Sequence, residues 1–297
     1  MSLRRHKIIL NPYAGRWKGR ARIEPLKQAL ANQGLAFELV VTQTPGEGIG
    51  LARQAVEAGF EVVVAAGGDS TISEVVNGLA QAAGEGQAGT LGIVPLGTAN
   101  DLADMLNLPR NLGLACQKLA AGNTRLIDLV QVNNHVFGNN SAVGLEPLVT
   151  LEAERINRIK GSLRYIVAAL RAIWKRPVWQ ARIHWDSGSY QGPISLVSVG
   201  NSPRTGGAFW MTPAARLDDG LIDFVYAPSM GRLALLRLLP ATFSGKHIHH
   251  KAVVYLKTTT LDITMDATPL QADGEIIDRR ATRIEYRVIP HKLRVIV

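Results

Sequence analysis

Up to about residue 130, short β-branched runs alternate with helical patterns, and no other feature of the chain limits its fold so tightly. Residues 7–10, 37–42, 61–65 and 91–94 read as strands. Between them, residues 20–33 place Ile23, Leu26 and Leu30 on one side of a helix, and residues 48–58 place Leu51, Ala55 and Ala58 likewise. Each connecting segment is long enough for a crossover, so the strands are expected to form a parallel sheet flanked by helices. Ligands of such sheets gather at the carboxyl ends of the strands, which directs attention to the loops after these four runs.

A further helical segment covers residues 113–122, and from Thr124 the pattern changes. Short strand-like runs follow at 125–132, 179–185, 194–199, 221–226, 252–256 and 261–265, separated by Gly, Pro, Asn and Asp. This predicts an antiparallel β domain beginning near residue 131, interrupted by two helices. One of these, at 161–175, aligns Leu163, Ile166, Val167, Leu170 and Trp174 against a face carrying Arg164, Arg171 and Lys175. Such a helix either packs on its own domain or lies on an anionic membrane. The apolar segment 233–239 reads as core or as the entrance to an apolar site.

With 297 residues, 46% hydrophobic and 19% charged, the chain has material for two cores and no compositional case for disorder. A net charge of +9 attracts anionic partners over long range. The basic residues are dispersed, without a dense cationic run or an aromatic nucleic-acid pattern, so nucleic acid is not the expected partner. Cys116 is the sole cysteine and sits in an apolar helical pattern, which excludes an intramolecular disulfide and fits a cytoplasmic protein. The first apolar run has only four residues before Asn11 and Pro12, too few for a signal peptide, and no stretch approaches the roughly 20 apolar residues of a membrane span. A protein of this kind that acts on lipid would visit the membrane peripherally.

Three loops carry the chemistry. After the third strand comes Gly67-Gly68-Asp69-Ser70-Thr71, leading into a helical pattern. Paired glycines allow close backbone approach, and a helix start offers N–H groups and a positive dipole end to phosphate. A carboxylate there, Asp69, points to a divalent cation or a catalytic task, or else caps the helix. After the fourth strand Pro95-Leu96-Gly97-Thr98-Ala99-Asn100-Asp101 repeats the arrangement, and after the first Asn11-Pro12-Tyr13-Ala14-Gly15 precedes Arg16 and Lys18. His247, His249 and His250 form a small cluster in an apparent surface loop, with spacing that matches no defined zinc motif.

Taken together, the NPYAG, GGDST and PLGTAND loops resemble, in order and spacing, the nucleotide-binding segments of the diacylglycerol kinase catalytic-domain family. The resemblance continues through the glycine-rich 198–227 stretch with its Asp218-Asp219-Gly220 turn and ends at Asp273-Gly274-Glu275. It implies an N-terminal Rossmann-like, NAD kinase-like α/β domain over residues 1–131, completed by 287–297, and a C-terminal antiparallel β-sandwich over 132–286. It implies ATP as phosphoryl donor with Mg2+, bound at Asn11, Gly15, Thr42, Gly67, Gly68, Asp69, Ser70, Thr71, Glu74, Gly97, Thr98 and Asn100. Glu275 takes the position of the family's proposed general base, with Asp273 and Asp69 as further catalytic positions. A structural magnesium is implied at Asp219 and the carbonyls of Arg216 and Leu221. The acceptor is a lipid hydroxyl, as in diacylglycerol or a sphingoid base. Oligomeric state is left open, a homodimer included.

One position departs from the family pattern: Ser70 stands where the family has glycine, and a Cβ restricts φ beside the phosphates. Two alternatives therefore stand beside a lipid kinase. One is a kinase of a soluble substrate like the NAD kinases, and the other is a nucleotide- or lipid-binding protein with impaired catalysis.

Overall fold

The computed structural model describes residues 4–156, 159, 162–175 and 177–297. The chain divides into two units, one running up to Leu129 and adding Pro290–Val297, the other comprising Val130–Ile289.

The first unit is an α/β layer structure. Strand β1 (Arg5–Leu10) is followed by α1 (Ala14–Trp17), a 3-10 turn and α2 (Ile23–Asn32). Then come β2 (Ala36–Val41), α3 (Glu47–Glu57), β3 (Val62–Gly67), α4 (Asp69–Ala83), β4 (Ala88–Pro95), α5 (Asp101–Met105) and α6 (Leu112–Ala121). The strands pair in parallel in the order β2-β1-β3-β4, as the crossover lengths require. Strand β3, Val-Val-Val-Ala-Ala-Gly, is buried at every position because helices cover both faces of the sheet. Ile8, Leu10, Val62, Val64, Leu26, Leu30 and Cys116 form one core. Burial pushes the Cys116 thiol up to about 11, so it stays a neutral, inert group.

The second unit is antiparallel. Strand β5 (Thr124–Val132) enters it, followed by β6 (His135–Phe137), β7 (Asn140–Gly144), α7 (Leu145–Glu154), α8 (Ser162–Lys175), β8 (Trp179–Trp185) and β9 (Gly188–Gly200). Beyond these lie β10 (Ile222–Pro228), α9 (Arg232–Thr242), β11 (Val254–Thr258), β12 (Thr260–Ala272) and β13 (Glu275–Ile296). Strand β9 pairs β8 through its first half and β7 through its second, and β12 does the same. Those shared long strands fold the sheet over into a sandwich. Its interior holds Phe137, Ile183, Val197, Phe224, Ile263 and Tyr286.

Several expectations are corrected here. The helix expected at 161–175 is α8, Gly161 lying outside the described residues, and its buried side is Ala168, Ala169, Ala172 and Ile173. The large residues Leu163, Leu170 and Trp174 are exposed instead, because the small residues allow close approach to α7 and α9. Among the described residues three α-helices rather than two interrupt the β unit. The histidine segment is not wholly a surface loop: His247 is buried and its Nε2 lies 3.1 Å from the Met211 carbonyl. No group of three or more metal-binding side chains occurs among the described residues. Of strand β13 only the end was expected, as the 287–297 segment that completes the first domain; its earlier part was not read as a strand, since Arg279, Arg280 and Arg283 break up its apolar residues.

Candidate active site

In the α/β unit the three expected loops leave adjacent strand ends and bind one another through the backbone. The Leu96 and Gly97 N–H groups both donate to the Gly67 carbonyl, at 2.7 and 3.1 Å. Gly68 and Gly97 face each other so closely that a Cβ on Gly97 would collide with Gly68 Cα. Gly67 has no room either, because its Cβ would strike Thr71 Oγ1. Gly15, at φ 61°, would place a Cβ 2.5 Å from the Leu96 carbonyl oxygen. These glycines serve packing among the loops before they serve any ligand.

The Asp69 carboxylate is the centre of that packing. It accepts N–H hydrogen bonds from Asn100 at 2.8 Å and Asp101 at 2.6 Å, so it ties the start of α4 to the start of α5. Burial pushes its carboxyl above the usual range, and those two N–H groups pull it back. Asn100 adopts the left-handed conformation, φ 54°, and exchanges hydrogen bonds of 3.0 Å with both the N–H and the carbonyl of Gly97. Asn11 donates to Thr71 Oγ1 at 3.1 Å and accepts from the Tyr13 N–H at 2.9 Å. Glu74 reaches along α4 to accept from Gly46 and Gly48, both at 2.9 Å, and so caps α3. Thr42 is buried against the Leu10 carbonyl, and Thr98 is exposed. The side chain of Arg16 lies outside those described. Ser70 sits in the first turn of α4 without a positive φ, so the substitution of the family's glycine carries no backbone strain.

In the β unit, Asp273-Gly274 is the two-residue turn joining β12 to β13, with φ of 47° and 83° and Ala272 opposite Glu275. The Asp273 carboxylate accepts from the N–H groups of Gly138, Asn139 and Asn140 at 3.2, 3.0 and 3.1 Å. This turn is therefore held in place, and Glu275 extends from it, exposed.

The Asp219 turn carries an ion pair. Asp219 Oδ1 accepts the Leu221 N–H at 3.2 Å, and Oδ2 lies 2.9 Å from Lys257 Nζ. The same ammonium is 3.2 Å from buried Asp223, which also accepts the Tyr255 hydroxyl. Burial pushes Asp223 up, while for Lys257 the Asp219 and Asp223 carboxylates outweigh burial and hold its pKa above the usual value. A protonated amine thus brings positive charge to the turn at which Arg216, Asp219 and Leu221 were expected to hold a divalent ion.

Two residues of consequence escaped the sequence reading. Lys257 is one, and its signal is a lone cation alternating with Tyr255 in an apolar strand. The other is Glu146, the single acid in the run Ser141–Val149 that opens α7. Its Oε1 accepts from Asn140 Nδ2 at 3.1 Å and Gln271 Nε2 at 3.0 Å. Burial pushes its carboxyl up to about 7. It borders an apolar cavity whose other walls include Leu145, Val149, Ile173, Phe209 and Leu238.

Comparison with known proteins agrees with this architecture. Residues 5–132 match the diacylglycerol kinase catalytic domain, and residues 140–297 match the YegS C-terminal NAD kinase beta sandwich-like domain. The diacylglycerol kinase of Staphylococcus carnosus is 27% identical over 274 residues, covering 92% of this chain and 89% of that protein. That of Bacillus subtilis is 29% identical over 276 residues, covering 92% and 90%. A crystal structure of a diacylglycerol kinase from Bacillus anthracis superposes with a TM-score of 0.81 at 21% identity, covering 100% of this chain and 98% of that one. An NAD kinase from Archaeoglobus fulgidus, crystallised with ATP, shares the fold at a TM-score of 0.56 and 12% identity, over 99% and 93% of the two chains. The fold is thus of the NAD kinase class, an α/β unit followed by a β-sandwich. The chain belongs to the diacylglycerol kinase catalytic-domain family.

Proposed function

We propose that this protein transfers the γ-phosphoryl group of ATP, accompanied by Mg2+, to a hydroxyl of a lipid. The observation that carries the reading is the contact between Gly68 and Gly97, which brings two strand-to-helix loops together with no side chain between them. Residues 69–71 at the start of α4 present the N–H groups that a helix leaves without partners, where phosphate is favoured. Asn11, Gly15, Thr71, Gly97, Thr98 and Asn100 supply the surrounding backbone and amide groups, and Thr42, Ser70 and Glu74 complete the nucleotide-binding set. Catalysis in phosphoryl transfer is chiefly positioning and charge stabilisation, and the fixed Asp69 and Asp273 turns serve the first. Glu275, exposed beside the Asp273 turn, accepts the proton of the attacking hydroxyl.

The acceptor comes from a membrane surface, met peripherally from the inner face. Leu163, Leu170 and Trp174 on α8 and Leu233 on α9 are exposed, Trp174 by 71%. Arg232 packs over Trp174 at 5.4 Å, which joins apolar and cationic groups as an anionic bilayer would require. No helix among the described residues is long and apolar enough to cross a membrane.

Incubation with γ-labelled ATP and a total lipid extract, with separate incubations on NAD, tests the reading. Label in a chloroform-soluble product is the expected result. Label in NAD, or none in any fraction although ATP binds, would overturn it.

A further inference from the structure

Nearly every backbone polar group of residues 97–100 finds a partner inside the protein. The Gly97 N–H is shared by the Gly67 carbonyl and Asn100 Oδ1, the Gly97 carbonyl accepts from Asn100 Nδ2, and the Asn100 carbonyl accepts the Asp104 N–H at 2.9 Å. The Asn100 N–H goes to Asp69. The carbonyls of Thr98 and Ala99 are both taken by one side chain, Arg110, which donates from Nη1 at 3.3 Å to the first and from Nη2 at 2.8 Å to the second. The N–H groups of Thr98 and Ala99 remain, and they meet no acceptor among the described residues. A backbone donor must be served by something, so these two are left for water or a ligand.

Arg110 is delivered by a fixed piece of chain. It follows buried Leu108 and Pro109 in the turn between α5 and α6, and it precedes Asn111, whose side chain caps α6 by accepting the Leu114 N–H at 3.1 Å. Its Nε and Nη2 also grip the two oxygens of Asp104 on α5, at 3.2 and 2.7 Å, which sets the plane of the guanidinium. That pair is half-exposed and by itself contributes little to stability, so the carbonyl contacts are what distinguish it from an ordinary surface ion pair. One peptide unit is held at both ends: Asp69 Oδ2 accepts its N–H, that of Asn100, at 2.8 Å, and Arg110 donates to its carbonyl, that of Ala99, at 2.8 Å. In a planar trans peptide the N–H and the carbonyl point in opposite directions. Because the Thr98 carbonyl faces Arg110, the Ala99 N–H in the same peptide faces away from it, to the side where Asp69 lies.

We infer, resting on the kinase reading above, that Arg110 is a positioning residue of the nucleotide site: it holds the Thr98 and Ala99 carbonyls back so that the Ala99 N–H donates to a phosphate oxygen of ATP. Asp104 belongs to the same device, because it orients the guanidinium. Without Arg110 the two peptides are free to rotate and to present carbonyl oxygens, which repel phosphate, in place of donors. The effect falls on affinity for the nucleotide and leaves the lipid and the transfer step alone.

The test measures binding of the fluorescent nucleotide MANT-ATP with Mg2+, and steady-state transfer from γ-labelled ATP to a total lipid extract, in the unaltered protein and in Arg110→Ala, Arg110→Lys and Asp104→Ala. Arg110→Ala should weaken MANT-ATP binding and raise KM for ATP about tenfold, the loss expected for hydrogen bonds to a charged group, with kcat and the half-saturating amount of lipid within about twofold. Amide hydrogen exchange at Ala99 and Asn100 should quicken in the same variant. Arg110→Lys should recover only part of the affinity, since an ammonium cannot serve two carbonyls and a carboxylate in one plane. Asp104→Ala should weaken binding by less than Arg110→Ala does. Should Arg110→Ala not fold, Arg110→Lys and Asp104→Ala decide, and unchanged binding in both overturns the inference. Unchanged MANT-ATP binding in folded Arg110→Ala, with or without a lower melting temperature, overturns it, and so does an equal rise in half-saturating ATP and lipid or full recovery by lysine. Failure of the unaltered protein to bind MANT-ATP refutes the kinase reading and the inference with it. Binding without transfer refutes the kinase reading alone, and the affinities of the variants then decide whether Arg110 positions the loop.

Discussion

Asn140 and Asp273 hold each other at two points, the Asn140 N–H donating to Asp273 Oδ1 at 3.1 Å and the Asp273 N–H donating to the Asn140 carbonyl at 2.7 Å. The hairpin turn that leads to Glu275 is thereby fixed to β7 through Asp273. The two acids should separate on mutation. Asp273→Ala leaves three backbone N–H groups without their acceptor and should lower stability by about 3 kcal/mol. Glu275→Gln should leave the urea midpoint unchanged and reduce kcat about 10²-fold. Equal loss of stability in both variants would contradict the division of roles.

Asp69 is expected to behave as a clamp as well as a member of the nucleotide site. Its two N–H partners, Asn100 and Asp101, start another helix, so Asp69→Ala should loosen both loops at once. A loss of about 2 kcal/mol in chemical denaturation is expected, with faster hydrogen exchange at the Asn100 and Asp101 amides. An acid that served a metal alone would leave those amides protected.

At the Asp219 turn the ammonium of Lys257 faces two carboxylates, one of them fully buried. Lys257→Met removes that charge and should cost about 3 kcal/mol, because it leaves Asp223 buried without its counter-charge. Chelators should leave the melting temperature of the unaltered protein in place, whereas the Met variant should gain stability from millimolar Mg2+. A drop in melting temperature of the unaltered protein on adding EDTA would show that a divalent ion, not Lys257, holds the turn.

Burial raises the Glu146 carboxyl from 4.5 to about 7, so between these values the folded protein binds more protons than the unfolded chain. Stability contributed by this group is present below pH 4.5 and is lost as pH climbs toward 7, by roughly 3 kcal/mol in all. Glu146→Gln should remove that part of the slope. Urea titrations of both proteins at pH 5, 6 and 8 measure it, and parallel curves would exclude an elevated carboxyl.

What could be read from the sequence follows the range of the interactions involved. The parallel sheet was legible because β3 and its neighbours contain short runs rich in β-branched residues between helical patterns, and the three glycine loops because close backbone packing tolerates little else. Ser70 looked like a strained departure only while its backbone angles were unknown. The outward-facing side of α8 was hidden, since hydrophobic periodicity marks a stripe without saying whether protein or bilayer covers it. Glu146 and Lys257 were hidden for a related reason: each acquires meaning from a strand distant in sequence, through Gln271 in one case and Asp223 in the other.

Strand β13 begins in the sandwich and ends alongside β4, where Leu293, Arg294 and Val295 pair in parallel with Ala88, Thr90 and Leu91. During synthesis the amino-terminal sheet must therefore wait, one flank open, until the ribosome has released the whole of the other unit. An unpaired flank of this kind invites strand addition from neighbouring nascent chains, which makes the maturing enzyme a natural client for chaperones.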